Sequence, residues 1–440
     1  MTLSMAGLIV GLALLVALTI RGMNILIAAP LCAFVVAISS GIPLIPPVAE
    51  GGDSFTLGYM TGFSGFLRDW FIVFLLGAMF GKVMEDSGAA DSVAHAIVKK
   101  LGIRHAAIGV VMACAVLTYG GVSVFVVAFS VFPMALSLFK QADLPRRFIP
   151  GALAFGSGTF TMTSAGSMEI QNFLPMKYLG TTQYAGWLVS LIVAVFMAAL
   201  GMWWFEKMIQ RAKDRGEHFE DRGDVAAVKH YKKLPHPLLG LVPLLVVLSV
   251  SFYGSVVLKF GESSLVIALL AGLACATAIY WKNLKDFGPA MSASTFGALV
   301  AISNTCAVVG FGSVAKLTPA FQESLTYMTA IPGNGLIGAA VAISLVVALT
   351  GSSSGGQAIA LPLLAPHYLA QGVDPDALHR VIAITSGGLD SLPHNGYVVT
   401  TIRAICGETH RSAYLPIGAL TVIVPLLGSV LAILLFILGL

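Results

Sequence analysis

The chain has 440 residues, of which 57% are hydrophobic and only 10% are charged, and its mean hydropathy is +0.89. Soluble domains carry about 25% charged residues, so this composition excludes a soluble globular protein and indicates a polytopic membrane protein. The net charge is +4, and most basic residues lie in short loops, which leaves no basic patch for nucleic acid. The five cysteines lack C-x-x-C spacing, so neither a disulfide nor a metal site is predicted.

Apolar runs of membrane length divide the first half of the chain, residues 1–205. Continuous spans are predicted at about 3–20, 24–40, 69–86 and 184–205, with a Gly- and Pro-rich loop over 41–69. The run over 106–139 is too long for one span and is broken by T-Y-G-G-V-S, which predicts a re-entrant hairpin of two short helices. The run over 148–178 is interrupted by G-S-G-T-F-T-M-T-S-A-G-S, which predicts a discontinuous helix.

A charged loop, residues 206–236, separates this half from a second half, residues 237–440, that repeats the same order. Continuous spans are predicted at about 237–256, 263–281, 290–310 and 414–440. The run over 336–369 is broken by T-G-S-S-S-G-G and predicts the second hairpin, while the run over 378–405 holds S-G-G-L-D-S-L-P-H-N-G and predicts the second discontinuous helix. Corresponding motifs lie roughly 230 residues apart, which indicates an internal duplication.

An odd number of spans in each half inverts the second copy relative to the first. The predicted fold class is therefore an all-α polytopic membrane protein with two inverted repeats, about ten transmembrane helices, two re-entrant hairpins and two discontinuous helices. Most Lys and Arg residues then share the side of the central loop, which makes that side cytoplasmic and both termini periplasmic. Arg380 is one of the few basic residues placed outside or near the outer interface.

The two hairpin tips and the two helix breaks are predicted to form one binding site. Helix N-termini bind carboxylates and hydroxyls add neutral hydrogen bonds, so the site suits a small anion. No Lys or Arg lies in the four polar motifs, which favours a monocarboxylate over a tricarboxylate. Alternatively, the small residues serve only tight helix packing. The candidate substrate-binding residues are Gly120, Gly121, Ser123, Ser157, Thr159, Thr161, Thr163, Ser352, Ser353, Ser354, Ser391 and Asn395.

Asp390 and His394 are the candidate proton carriers. A charged group at the bilayer centre costs at least roughly 2.5–3.5 kcal/mol, so a functional role is the first hypothesis for Asp390. The alternative is that Asp390 caps the broken helix and His394 hydrogen-bonds a neighbour. Glu169 and Lys177 are predicted to form a structural pair, and the S-N-T motif at 303–305 faces either the site or a neighbouring helix.

One enzyme motif is present in the sequence. The segment G-S-S-S-G over 351–355 satisfies the G-x-S-x-G pattern of serine hydrolases, with His394 as an imaginable base. That pattern requires a strand–turn–helix context, which this sequence does not predict, so a hydrolase is the remote alternative. The sequence has neither a Walker loop nor a dinucleotide fingerprint, so an ATP-driven pump is not supported and no cofactor is predicted.

Several motifs resemble those of the gluconate permease (GntP) family and its hydroxybutyrate-permease-like relatives. They are G-S-G-T-F-T-M-T-S-A-G-S with I-Q-N-F-L-P, V-V-G-F-G-S-V, and S-G-G-L-D-S-L-P-H-N-G with C-G-E-T-H-R. The resemblance covers most of the chain and implies a bacterial inner-membrane proton symporter for sugar acids or other small hydroxy or short-chain carboxylates.

The chain also resembles the wider ion transporter superfamily, which implies a homodimer. In that arrangement the scaffold domain is fixed, and hairpins and broken helices move as an elevator-type transport domain. The hairpin tips lack the Ser-Asn-Thr motifs that bind sodium in sodium-coupled relatives, which favours H⁺ over Na⁺ as the coupling ion. The main alternative within transport is a sodium-coupled symporter of di- or tricarboxylates.

Overall fold

The computed structural model describes residues 3–45, 53–222, 234–261, 263–284, 287–329 and 333–440. Every regular element in these ranges is a helix, so the all-α prediction is confirmed. Seven helices in the described part are long and apolar enough to cross a membrane, and several shorter apolar helices accompany them. The architecture is that of a polytopic membrane protein.

The helices are numbered in chain order. Those of the first half are α1 (Leu3–Ile20), α2 (Ile25–Ser39), α3 (Phe55–Asp86), α4 (Ala89–Leu101), α5 (Ala106–Tyr119), α6 (Val124–Gln141), α7 (Ile149–Gly158), α8 (Leu174–Leu179) and α9 (Trp187–Asp214). Those of the second half are α10 (Pro237–Phe252), α11 (Ser263–Tyr280), α12 (Phe287–Lys316), α13 (Pro319–Thr329), α14 (Gly335–Thr350), α15 (Ser353–Ala370), α16 (Pro375–Ser386), α17 (Gly396–Val399), α18 (His410–Ile417) and α19 (Val424–Ile437). A π-helical turn continues α17 to Ile405, and another joins α18 to α19.

Two pairs of short helices pack against each other where the hairpins are predicted. Helices α5 and α6 meet at the turn 120–123, and α14 and α15 meet at 351–352. The first arms have 14 and 16 residues. They are therefore roughly 21–24 Å long, shorter than the hydrocarbon core of about 30 Å. The return of each hairpin to its own side of the membrane stays a prediction.

Two helices stop inside the apolar runs predicted to be discontinuous. Helix α7 ends at Gly158, and the chain becomes helical again only at the 3₁₀ turn Ile170–Asn172 and α8. Helix α16 ends at Ser386, and an irregular segment with one 3₁₀ turn, Leu389–Ser391, leads to α17. We call the segments 159–169 and 387–395 the first and second breaks.

Helix α3 begins 14 residues earlier than predicted, at Phe55 instead of residue 69, so the loop predicted over 41–69 is too long. Two glycines of this segment, Gly58 and Gly62, serve helix packing. A Cβ at Gly62 would lie 2.1 Å from the Ser313 Oγ of α12, and one at Gly58 would lie 2.8 Å from Leu317 Cδ1. Small residues allow such close approach between helices in membranes. Helix α9 also runs past the predicted end of its span, to Asp214.

The buried apolar side chains form two large clusters. The larger joins the hairpins and the helices around both breaks to α9, α10 and α11. The other joins α1 and α2 to one end of α3, to α12 and to the start of α13. Helix α12 contributes Ile302 and Cys306 to the first cluster and Ala307 and Phe311 to the second, so it connects the two.

Candidate substrate-binding site

One cavity of about 370 Å³ joins parts of both hairpin tips and both breaks. This volume lies within the range of about 300–1,000 Å³ that is usual for small-molecule sites. Eight of the candidate residues line it: Ser123, Ser352, Ser353, Ser354, Asp390, Ser391, His394 and Asn395. The facing wall comes from the α1–α2 connection, from Phe74 of α3 and from one side of α12. None of the described residues that line the cavity is a Lys or an Arg.

The hairpin tips direct two helix N-termini at this cavity. Ser123 precedes α6, and its hydroxyl makes no capping hydrogen bond to that helix. Ser352 precedes α15, and its Oγ accepts a hydrogen bond of 3.1 Å from the Gly355 N–H. Each helix N-terminus carries about half a positive elementary charge. The two tips therefore supply positive potential without a cationic side chain.

The second break supplies the ionisable groups of the cavity. The side chain of Asp390 is 7% exposed, and its Oδ1 accepts a hydrogen bond of 2.8 Å from the Ser391 hydroxyl. Asn395 caps α17 and donates to the Gly351 carbonyl at 2.9 Å, which ties the break to the second hairpin tip. The His394 ring lies against Gly351, and its buried Nε2 has no hydrogen-bond partner in the described chain.

The predicted hydroxyls at and just before the first break do not line this cavity. Ser157 donates to the Leu153 carbonyl and lies 2.8 Å from the Tyr397 hydroxyl. Thr161 donates to the Gly156 and Ser157 carbonyls, and Thr163 donates to the Thr159 carbonyl. The Thr159 hydroxyl is buried without a partner among the described residues. A substrate contact by these four residues stays a prediction that this geometry does not support.

The two glycines of the first hairpin tip also lie outside the cavity wall. Gly120 packs against Leu244 of α10, where a Cβ would come within 2.8 Å of Leu244 Cδ2. Gly121 has a φ of +98°, a left-handed conformation that favours glycine, so it forms the turn itself. These residues shape the tip that presents Ser123.

The cavity wall also includes polar residues that are not among the candidate residues. Glu169 ends the first break, Gln171 belongs to the 3₁₀ turn that follows, and Asn304 and Thr305 come from α12. The sequence allows the S-N-T motif to face either the site or a neighbouring helix, and two of its three residues line the cavity. Glu169 does not pair with Lys177, because the Lys177 ammonium lies 2.7 Å from the Asp69 carboxylate. In the sequence, the position of the acidic residue Glu169 at the end of the first break is the feature that could indicate its place in the cavity.

Arg380, which the sequence places outside or near the outer interface, has a fully buried side chain. Its guanidinium donates hydrogen bonds of 2.6–3.1 Å to four oxygens. Three are the backbone carbonyls of Thr163, Gln183 and Ala185, and the fourth is the Asn172 side chain. Asn172 in turn donates to carbonyls of the first break. Arg380 thereby holds α16, which leads into the second break, against the first break.

The segment Glu217–Arg222 follows α9 and forms ion pairs with residues of both halves of the chain. We call it the linker strap. Arg147 donates two hydrogen bonds to Glu217, at 2.6 and 3.0 Å, which holds the pKa of that carboxyl below its usual range. The strap also pairs with the end of α6 through Lys140–Asp221 and with Glu408 through Arg222. It therefore links the base of the first hairpin to the chain that follows the second broken helix.

Interrupted helices around an internal polar cavity define this molecule as a membrane transporter. Residues 1–279 match the GntP family permease description, and the chain belongs to that family. It is 34% identical to the "Uncharacterized transporter YxjC" of Bacillus subtilis, over 94% of this chain and 95% of that protein. It is also 26% identical to the "Gluconate permease" of Bacillus licheniformis, over 48% of this chain and 44% of that protein.

A solved structure with a similar fold is the YdaH transporter of Alcanivorax borkumensis, with a TM-score of 0.56 and 15% identity. The match covers 94% of this chain and 98% of that chain, and it concerns the fold alone. The predicted family is thus confirmed, and the chain is a permease and not an enzyme. The G-S-S-S-G segment accordingly begins helix α15, with no preceding strand in the described residues.

Proposed function

We propose that the protein imports a small organic monocarboxylate together with a proton. The cavity carries this proposal, because it combines two helix N-termini, several hydroxyls and the buried Asp390 carboxyl with no Lys or Arg. Two N-termini together offset about one negative charge, which matches one carboxylate and not two or three. A di- or tricarboxylate would leave uncompensated charge in this wall.

The substrate that we propose is a sugar acid or another hydroxy acid. Gln171 lines the cavity, and its buried side-chain oxygen has no hydrogen-bond partner in the described chain. An amide oxygen only accepts hydrogen bonds, so a substrate hydroxyl suits it. The cavity also contains the hydroxyls of Ser123, Ser354 and Thr305. The relative from Bacillus licheniformis bears the name gluconate permease, which agrees with this substrate class.

Asp390 is the proposed proton carrier of the cycle. It lies in the same cavity as the substrate, and its hydrogen-bond partner, Ser391, is a neutral group. An ionised Asp390 would repel a bound carboxylate at short range in an environment of low dielectric constant. Protonation removes this repulsion, so binding of the proton favours binding of the anion. His394 is the second candidate because its Nε2 lacks a partner in the described part.

The transport movement that we propose is an elevator. The cavity lies between the tips and breaks on one side and α1–α2, α3 and α12 on the other. Such a boundary allows one group of elements to carry the site past a fixed group. We further propose a homodimer in the bacterial inner membrane, with the linker on the cytoplasmic side and both termini in the periplasm.

Uptake into liposomes that contain the purified protein tests this function. Labelled gluconate, glycerate, hydroxybutyrate, succinate and citrate are offered under an inward proton gradient, with and without sodium. We expect accumulation of a hydroxylated monocarboxylate without sodium. Accumulation that requires sodium, or that occurs only with succinate or citrate, would refute the proposal. Asp390→Asn should weaken proton-driven accumulation but retain exchange, whereas Glu323→Gln, an exposed change on α13, should behave as the wild type.

A further inference from the structure

A second carboxyl group lines the same cavity as Asp390. Glu169 ends the first break, directly before the 3₁₀ turn Ile170–Asn172, and its side chain belongs to the cavity wall. It makes no ion pair with any described residue, since its predicted partner Lys177 pairs with Asp69. The proposed function assigns no role to this carboxyl.

Charged groups on the surrounding elements do not compensate Glu169. The turn Ile170–Asn172 packs against α8, α15 and α16. The titratable side chains of these elements are Lys177, Tyr178, His367, Tyr368, Asp376, His379 and Arg380. The cations Lys177 and Arg380 are engaged by Asp69 and by four neutral oxygens, respectively. Across the cavity, the other titratable groups are Asp390, His394 and Tyr397.

The charges in the cavity balance in only one protonation state. The N-termini of α6 and α15 supply roughly half a positive charge each, about one in total. The carboxylate of a bound monoanion uses this amount. An ionised Asp390 or Glu169 would then add a negative charge that nothing in the described wall neutralises. Both carboxyls must therefore be neutral when the anion is bound.

We propose that Glu169 is a second proton-binding group of the transport site, so that each monoanion crosses with two protons. One proton resides on Asp390 and the other on Glu169, and both leave with the substrate into water, which then hydrates the two ionised carboxylates of the emptied cavity. Each cycle then moves one net positive charge inward. This proposal rests on the proposed function and extends it from proton coupling in general to a defined stoichiometry and a second residue.

Membrane potential and proton gradient test this stoichiometry separately in the same liposomes. With equal pH on both sides, a potassium gradient with valinomycin sets an inside-negative potential. One net positive charge per cycle predicts up to about tenfold accumulation by the wild type for each 59 mV. Glu169→Gln should lose this response yet still accumulate substrate under a pH gradient, because one proton balances one anion. The matched control, Glu323→Gln, should respond as the wild type.

Three outcomes would overturn the proposal. In the first, substrate accumulation by the wild type does not respond to the membrane potential, and in the second, Glu169→Gln responds to it like the wild type. In the third, the wild type accumulates substrate only tenfold per pH unit at zero potential, where two protons predict a hundredfold. The last measurement needs no variant, so it decides the matter even if Glu169→Gln does not fold. A wild type that fails to accumulate any monocarboxylate under a proton gradient would instead refute the proposed function itself.

Discussion

The contact between Gly351 and His394 predicts a specific coupling between the second hairpin tip and the second break. Gly351 ends α14 with a φ of +60°, and a Cβ built there would lie 2.5 Å from Cδ2 and 2.6 Å from Nε2 of the His394 ring. Real Cβ atoms do not approach ring atoms so closely. Gly351→Ala must therefore displace either the tip or the imidazole.

Two costs add in this variant. A side chain in the left-handed conformation costs about 1–2 kcal/mol. Overpacking of a filled space costs about 1–3 kcal/mol. We therefore expect Gly351→Ala to lower the free energy of unfolding by about 2–5 kcal/mol. Gly372→Ala provides the matched control, because Gly372 has a φ of +77° but no atom within 4 Å of its built Cβ. That control should show the first cost alone.

Thermal unfolding of the purified proteins in detergent measures these differences. Gly351→Ala should melt clearly below Gly372→Ala. When His394→Ala removes the ring, adding Gly351→Ala should cost only the left-handed term, about 1–2 kcal/mol. The resulting coupling energy should be about 1–3 kcal/mol. Equal melting of the two glycine variants, or no rescue in the double variant, would show that the ring does not lie against the tip.

Three further predictions concern the site, the bridge between the breaks and the linker strap. Ser123→Ala should weaken substrate binding by about 0.5–1.5 kcal/mol because it removes from the cavity a hydroxyl that makes no capping hydrogen bond. Thr161→Ala should leave the Kd unchanged because the Thr161 hydroxyl donates to a backbone carbonyl. Calorimetric titration of both variants with substrate compares the two Kd values. Arg380→Met should destabilise the fold by at least about 1–3 kcal/mol by leaving buried neutral oxygens without donors, and Arg380→Lys should recover only part of this in thermal unfolding. Arg147→Glu and Glu217→Arg should each cost about 1 kcal/mol, and their combination should restore stability at low salt; failure of the restoration would show that this pair contributes nothing.

The interruptions of the helices could be predicted because they depend on local chemistry. Clusters of Gly, Ser and Thr inside long apolar runs favour an interruption of the helix, and α5, α7, α14 and α16 end within or beside them. The predicted residues at the tips and in the second break mostly line the cavity. At the hairpin tips the helix restarts within two to four residues, and in the second break a 3₁₀ turn shortens the irregular path. The polar side chains that cap each new helix therefore lie close to the cavity.

The first break could not be predicted to the same depth because its irregular path is longer. Without helical periodicity, sequence does not tell which side chains face inward, and Thr161 and Thr163 form hydrogen bonds to nearby carbonyls instead. Glu169 lines the cavity from an extended residue directly before the 3₁₀ turn, a position that the sequence pattern does not reveal. The burial of Arg380 could not be predicted for a related reason, since the backbone oxygens that it binds lie some 200 residues away in sequence.

Broken helices need hydrogen-bond partners for their freed backbone groups, and this need determines which polar side chains remain available for transport. Every interruption frees N–H and C=O groups that must find partners in a membrane interior. Asn172 and Arg380 satisfy carbonyls of the first break, Tyr119 donates to Ala165, and Asn395 serves the second hairpin tip. These side chains use their hydrogen-bonding groups to stabilise the fold. Some polar groups of the cavity wall, above all the Glu169 carboxyl, take part in no such network. These groups are available to bind substrate and protons, and the proposals rest on them.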